Sequence, residues 1–204
     1  MELTNIIKLS KKHIVPAGIM LGKALIDDPL SIHVIPDSNE RKLKMKHVFQ
    51  TTTCLAVRYG ESYASSENLE GVANWIPFET FKEYKFRMLK CGIKSRIYKI
   101  GLKASKRFKP IGKYATKMHK KHAPGKHWYL ETLGVDPNFQ GKGIGSSLMN
   151  FKLKEIDLQG LPIYLETSTE KNVRFYEKMG FKVVEEVVIP ETEVTQYYML
   201  REVN

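Results

Sequence analysis

The stretch HWYLETLGVDPNFQGKGIGSSLMN, residues 127–150, decides how the rest of the chain is read. Its first third, His127 to Val135, has the apolar, β-branched and aromatic content of a strand. Asp136-Pro137-Asn138 is a turn, and Gln140-Gly141-Lys142-Gly143-Ile144-Gly145 is a glycine-rich loop. A helical pattern begins directly after Gly145. A strand, a glycine loop and a helix N-terminus in that order make a phosphate cradle. The first backbone N–H groups of the helix have no partners inside it, and its dipole places positive charge at the same end.

Outward from this stretch, the second half reads as further strands and helices. Ser146 to Leu158 has Leu148, Met149, Leu153 and Ile156 at helical spacing, and Gly160 and Pro162 end it. Pro162 to Glu166 is a short buried-type strand. Asn172 to Met179 is a helix with Gly180 where a helix-ending glycine belongs. Phe181 to Ile189 and Val194 to Arg201 are two closing strands. The pattern predicts a mixed α/β sheet.

The first half is less periodic. Pro16 to Asp28 reads as a helix stopped by Asp27-Asp28-Pro29, and Leu30 to Asn39 as extended. Glu40 to Tyr59 fits a helix face through Met45, Phe49, Thr52, Leu55 and Tyr59, although Thr51 to Val57 alone would suit a strand. Ser62 to Ser66 and Leu69 to Trp75 are short strands about a turn at Glu67-Asn68. Phe81 to Lys121 is a lysine-studded helical stretch that Gly92, Gly101, Pro110 and Gly112 cut into two or three pieces.

Charge is concentrated in that last segment. The net charge is +11 over 204 residues. Between Lys82 and His127 stand 16 lysines and arginines and one acid, Glu83, so this segment carries +15 and the remainder −4. Such a field attracts phosphates, nucleic acid, anionic membrane or acidic substrates, and a solvated helical surface accounts for it equally well. No apolar run is long enough to span a bilayer, and no secretory leader pattern is seen. Cys54 and Cys91 share no metal-ligand spacing. A disulfide is open to them, and reduced thiols in a cytoplasmic protein are the expectation. No metal site and no nucleic-acid partner are expected.

Three further matches follow the loop in order. Val135-Asp136-Pro137 precedes it, the strand Ile163 to Glu166 lies one helix later, and Asn172-x-x-x-Tyr176-x-x-x-Gly180-Phe181 comes next. This ordered set, residues 127 to 201, resembles the GNAT N-acetyltransferase superfamily. Gly71 to Pro77, Ala24 to Pro29 and Tyr164-Leu165-Glu166-Thr167-Ser168 resemble, more loosely, puromycin N-acetyltransferase-like proteins. A Rossmann loop would need Gly-x-Gly-x-x-Gly, and a P-loop Gly-Lys-Ser/Thr; neither is present.

The resemblance implies one GNAT domain over residues 1–204, with a basic helical insertion at about 81–122. It implies a central mixed, mostly antiparallel twisted sheet, flanked by helices and splayed at the CoA site. The implied activity is acetyl transfer from acetyl-CoA to a primary amine of a small molecule, by direct attack in a ternary complex. A silent acyl-CoA sensor of the same fold is the alternative. Cofactor contacts are implied for Leu133, Gly134, Val135, Gln140, Gly141, Lys142, Gly143, Ile144, Gly145, Ser146, Asn172 and Tyr176. An N-cap role is the competing assignment for Asn172. Tyr176 would be the general acid, since a phenol donates a hydrogen bond at neutral pH. Glu166, ranked first, and Glu131 would serve as base or amine site, because a carboxylate on an apolar strand has a raised pKa. Strand alternation places Glu131 on the face of Tyr129 and Leu133. Trp75, followed by Phe78 and Phe81, would wall the acceptor site, with core packing as the competing assignment. His122 and His127 are weaker candidates. If the basic segment lines the site, acceptors with an anionic group are favoured over polycations. A monomer or homodimer is expected.

Overall fold

The computed structural model describes residues 5–202. Seven strands form one sheet in the order β1-β2-β3-β4-β5-β7-β6. They are β1 (Ile7–Lys8), β2 (Glu61–Ala64), β3 (Gly71–Pro77), β4 (Trp128–Val135), β5 (Ile163–Thr167), β6 (Lys182–Val188) and β7 (Thr195–Arg201). Every neighbouring pair is antiparallel except β4 with β5. The expected mixed, mostly antiparallel architecture is therefore present.

Helices cover both faces. On one lie α7 (Ile144–Gln159) and α8 (Glu170–Glu177). They close a core of Trp75, Leu130, Leu148, Met149, Ile156, Leu165, Tyr176 and Phe181. On the other lie α1 (Ile14–Ala24), α2 (Pro29–Val34) and α3 (Ser38–Tyr59). Here Ala17, Met20 and Leu21 pack on Ala64 and Val72, and Leu55 and Ala56 on Ile76. The close approach of α1 to the sheet is set by Gly134. A Cβ there would come within 2.6 Å of Leu21 Cδ2, so a side chain would lever α1 away.

One reading of the first half changes, and the helix expected over Glu40 to Tyr59 is present. Leu30 to Val34 is helical, not extended, because Asp28 accepts the N–H of Leu30 and Pro29 stands at the first helical position. Proline there starts a helix, since its missing N–H would have had no partner anyway. The threonines of α3 stay helical because Thr51 and Thr52 donate their hydroxyls to the carbonyls of His47 and Phe49, absorbing groups that otherwise compete with the backbone.

The basic segment forms α4 (Tyr84–Lys90), α5 (Ile93–Ile100) and α6 (Leu102–His122). Gly92 and Gly101, both at positive φ, separate them. Pro110 and Gly112 do not break α6, contrary to expectation. Ala104 before the proline and Ile111 and Met118 after it are buried and hold that helix down, and tertiary packing outweighs the local penalty. These helices cover the same face as α3.

Cys54 on α3 and Cys91 after α4 form a disulfide. This corrects the expectation of reduced thiols. Sequence spacing did not indicate it, because the packing of α4 on α3 is what brings two cysteines 37 positions apart together. Under denaturing conditions without reductant, both thiols should resist alkylation. Cys91→Ser should lower the stability of the oxidised protein by about 2–4 kcal/mol, read by urea denaturation; thiols that alkylate fully without reductant would contradict the bond.

Candidate active site

Strand β4 pairs with β3 along its whole length, from Trp128 to Val135. Its other edge pairs with β5 only at Trp128, Tyr129 and Leu130, opposite Ile163, Tyr164 and Leu165. Beyond Leu130 and Leu165 the strands part, while Glu166 and Thr167 keep their pairing with β7. The result is a fork with two unpaired strand edges facing each other. Such edges are hydrogen-bonding templates. Glu131 and Glu166 are the first residues past the fork.

One side of the fork leads to the glycine loop. Gly143 is the N-cap of α7 at φ +80°, a left-handed conformation that favours glycine. The first helical bond is Ser147 N–H to Gly143 C=O, so the amides of Ile144, Gly145 and Ser146 point out of the helix end. No acid lies in this first turn. Gln140 donates from Nε2 to the Val135 carbonyl at 3.1 Å and ties the loop to the strand end. Lys142 is exposed, and its ammonium lies over the Phe139 ring at 4.8 Å. The donor set suits an anionic group such as a pyrophosphate.

Across the fork, Asn172 donates to Thr167 Oγ1 at 3.0 Å. Thr169, not Asn172, caps α8. Tyr176 is buried between Phe175 and Phe181. Burial, with the nearby Asp28 carboxylate second, pushes its phenol pKa up. It therefore stays protonated over the physiological range.

The two carboxylates face the opposite side of the sheet. The reason is a bulge: Asn74 pairs with Thr132 and Trp75 with Leu130, leaving Glu131 as an extra residue in β4. Simple alternation fails there. Leu133 turns into the α7 core with Ala73, while Tyr129 packs with Phe81 and Tyr84. Glu131 follows Tyr129 and parts from Leu133, which corrects half of the expected face. Its neighbours are Thr52, Tyr84, Thr132 and Arg96. Burial pushes the Glu131 carboxyl up to about 7 against the opposing effects of the Thr132 hydroxyl, Arg96 and Thr52. Glu166 is likewise pushed up to about 7, by burial first and by Glu131 as a like charge. Tyr164 donates to Glu166 Oε1 at 3.1 Å and partly offsets this.

Glu166 lines a cavity of about 1010 Å³ beneath α4 and α6. Phe78, Phe81, Tyr84, Phe86 and Tyr129 form its aromatic wall, and Gly112, Ala115 and Thr116 present the small residues of α6 to it. His119 and His127 meet at its edge, with their Nε2 atoms 2.6 Å apart. His127 Nδ1 bonds the Gly125 carbonyl at 2.7 Å. A carbonyl only accepts, so Nδ1 carries the proton, and in the neutral pair His119 supplies the one between the two Nε2 atoms. Burial and the charge of His127 push His119 down to about 3, so it is neutral at pH 7.

The expected roles redistribute. Trp75 is fully buried in the α7 core and lies off the cavity. Regular alternation along β3 puts it on the face of Ala73, and Phe78 and Phe81 take its expected place. His122 bonds Glu185 at 2.5 Å on the surface. Tyr84, Tyr129, Tyr164, Arg96 and His119 were not anticipated. The tyrosines of β4 and β5 had one available signal, their i, i+2 spacing from Glu131 and Glu166.

Residues 105–183 match the acetyltransferase (GNAT) domain family model. This stretch, from α6 to β6, is similar to acetyltransferase (GNAT) domains. The chain is 28% identical over 171 residues to an uncharacterised N-acetyltransferase of Schizosaccharomyces pombe, covering 81% of this chain and 69% of that protein. It is 34% identical over 86 residues to a mycothiol acetyltransferase of Streptomyces avermitilis, covering 41% of this chain and 27% of that relative's length. Among solved structures, a histone acetyltransferase HPA2 and related acetyltransferase from Corynebacterium glutamicum superposes with a TM-score of 0.68. That pair shares 17% identity, with 98% of this chain and 96% of the other covered, a likeness of fold. Among the described residues no helix is long and apolar enough to cross a membrane.

Each raised carboxyl opposes folding once it must ionise. The folded pKa lies above the ordinary value, so stability falls as pH rises from about 4.5 to about 7. Glu131→Gln, which keeps the shape without the charge, should raise the melting temperature at pH 8 relative to pH 5. A gain of about 1 kcal/mol corresponds to about 2–4 °C; an equal shift at both pH values would contradict the assignment.

Proposed function

We propose that this protein transfers an acetyl group from acetyl-CoA to the primary amine of a small molecule, by direct attack within a ternary complex. The observation that carries this is the fork. It joins an anion-ready helix N-terminus on one side of the sheet to a raised-pKa carboxylate in an aromatic cavity on the other.

In this reading, acetyl-CoA supplies the acetyl group as a thioester. The amides from Lys142 to Ser146 hold its pyrophosphate. The unpaired edge at Leu133, Gly134 and Val135 offers backbone groups to its pantetheine arm, with Gln140 holding the loop in register and Asn172 at the opposite edge. The acceptor arrives as an ammonium and must lose a proton before its lone pair can attack. Glu166 receives that proton, directly or through one water, and Tyr164 steadies the carboxylate that does so. Glu131, beside it, raises the basicity of Glu166 by like charge. Tyr176 donates to the departing sulfur, which its protonated phenol can do at any physiological pH. A silent acyl-CoA sensor would need the loop but not the Glu131–Glu166 pair at the fork. The narrower kinship with puromycin N-acetyltransferase-like proteins is part of the proposal, supported by the pairing of Gly71–Pro77 with β4 and by the contact of Tyr164 with Glu166.

A base must be ionised to work, so kcat/KM should rise through about pH 7 and level above it. Glu166→Gln should lower kcat/KM by about 10²–10⁴ and flatten this rise, with the Kd for CoA unchanged. Tyr176→Phe should lower kcat while the rise through about pH 7 is kept. CoA thiol release across an amine panel measures both; full turnover in Glu166→Gln would remove it as base.

A further inference from the structure

The cavity carries more chemical information than an amine site requires. We propose that its acceptor is a bulky aromatic monoamine with an anionic group at the end remote from the amine. This rests on the cavity being the acceptor site of the acetyl transfer set out above.

Size is the first constraint. About 1010 Å³ lies at the upper end of small-molecule sites, which run from about 300 to 1,000 Å³. A short alkylamine would leave most of it to water. Wall chemistry is the second. Phe78, Phe81, Tyr84, Phe86 and Tyr129 present ring faces and edges, and such walls favour a flat apolar body over a hydrated chain. His119 belongs to this wall as a neutral ring, stacked at 4.6 Å on Tyr164.

Charge placement is the third. Inside, Glu166 is the carboxylate available to an ammonium. At the rim stand Lys85 and Lys120, both exposed. Neither forms an ion pair with a carboxylate among the described residues. The other lining acid, Glu83, is paired with Arg87 at 3.5 Å. A substrate spanning the cavity therefore meets one negative group at its inner end and two positive groups at its outer end. A diamine would set its second ammonium against Lys85 and Lys120. An acceptor ending in a carboxylate, sulfonate or phosphate would meet them as partners. The excess charge of the basic segment thus acts locally as an electrostatic filter.

The test is equilibrium binding to the CoA-saturated protein, where no turnover occurs. Three probes are compared: an aminoethyl-naphthalene carboxylate, its neutral carboxamide, and spermidine. The carboxylate should bind about tenfold more tightly than the carboxamide, a preference that shrinks with salt, and spermidine should bind weakest. In Lys85→Glu/Lys120→Glu the preference for the carboxylate should be lost or reversed. A remote double variant with the same change in net charge, Lys42→Glu/Lys178→Glu, should keep the original order. Spermidine binding as well as the carboxylate, no difference between carboxylate and carboxamide, no binding of any probe, or equal losses in both double variants would each overturn the assignment. Ordered binding without CoA thiol release from acetyl-CoA would leave the ligand class standing and sink the acetyl-transfer reading instead.

Discussion

The separation of β4 from β5 after Leu130 and Leu165 is the constraint on which the site depends. A parallel pair that stayed closed would satisfy its own backbone groups and leave nothing to offer a ligand. Parting the strands exposes two edges, and the cost of unpaired amides and carbonyls is borne because each strand keeps a full partner on its far side, β3 for β4 and β7 for β5. The fork is therefore held open from outside. It also opens a passage between groups packed on opposite sides of the sheet.

Around that opening the chain divides its labour by chemistry. The α7 side is apolar and tightly packed, with Tyr176 as a polar group set among aromatics. The α3–α4–α6 side collects ionisable groups: Glu131, Glu166, Arg96, four tyrosines and two histidines. Burial drives most of them toward their neutral forms. A site that is nearly uncharged at rest becomes polar when a cation enters, because an ammonium favours ionisation of the carboxylate beside it. The disulfide between Cys54 and Cys91 ties the helix carrying Tyr84 and Phe86 to α3, so the wall of the cavity is fastened to the same helix that contacts Glu131 through Thr52.

Much of the glycine-loop side was legible in the sequence, because its signals are local. Gly143 and Gly145 stand where a helix must begin with open amides, and Gly180 where the next must end. The order from Val135 through Asn172 to Phe181 gave the fold. The cavity side was only partly legible, because it is assembled by tertiary contact. Glu131 and Glu166 could be picked out as acids on apolar strands. The face of Glu131 could be only half placed, because a one-residue bulge parts it from Leu133 and nothing in its neighbours announces the bulge; for Trp75, alternation says which residues share its face but not which layer covers that face. His119 and Tyr84 are separated in sequence from Glu166 by 47 and 82 residues and share no periodicity with it. The stretch Leu30 to Val34 was misread because Asp-Pro closes one helix and opens another with the same two residues.

The extra residue in β4 has a consequence for how this strand can be exchanged between proteins. Upstream of Glu131 the strand is phased for one face, downstream for the other. A graft that keeps every residue but pairs the strand with a partner that cannot accommodate the bulge would impose simple alternation, sending Leu133 toward α1 and bringing Gly134 to the α7 face. Composition and hydropathy would hardly change, yet the strand would present the wrong half of itself to each layer. The bulge, more than any one identity, is what a transplanted β4 of this length must conserve, and the natural point to splice two such strands is at the bulge itself.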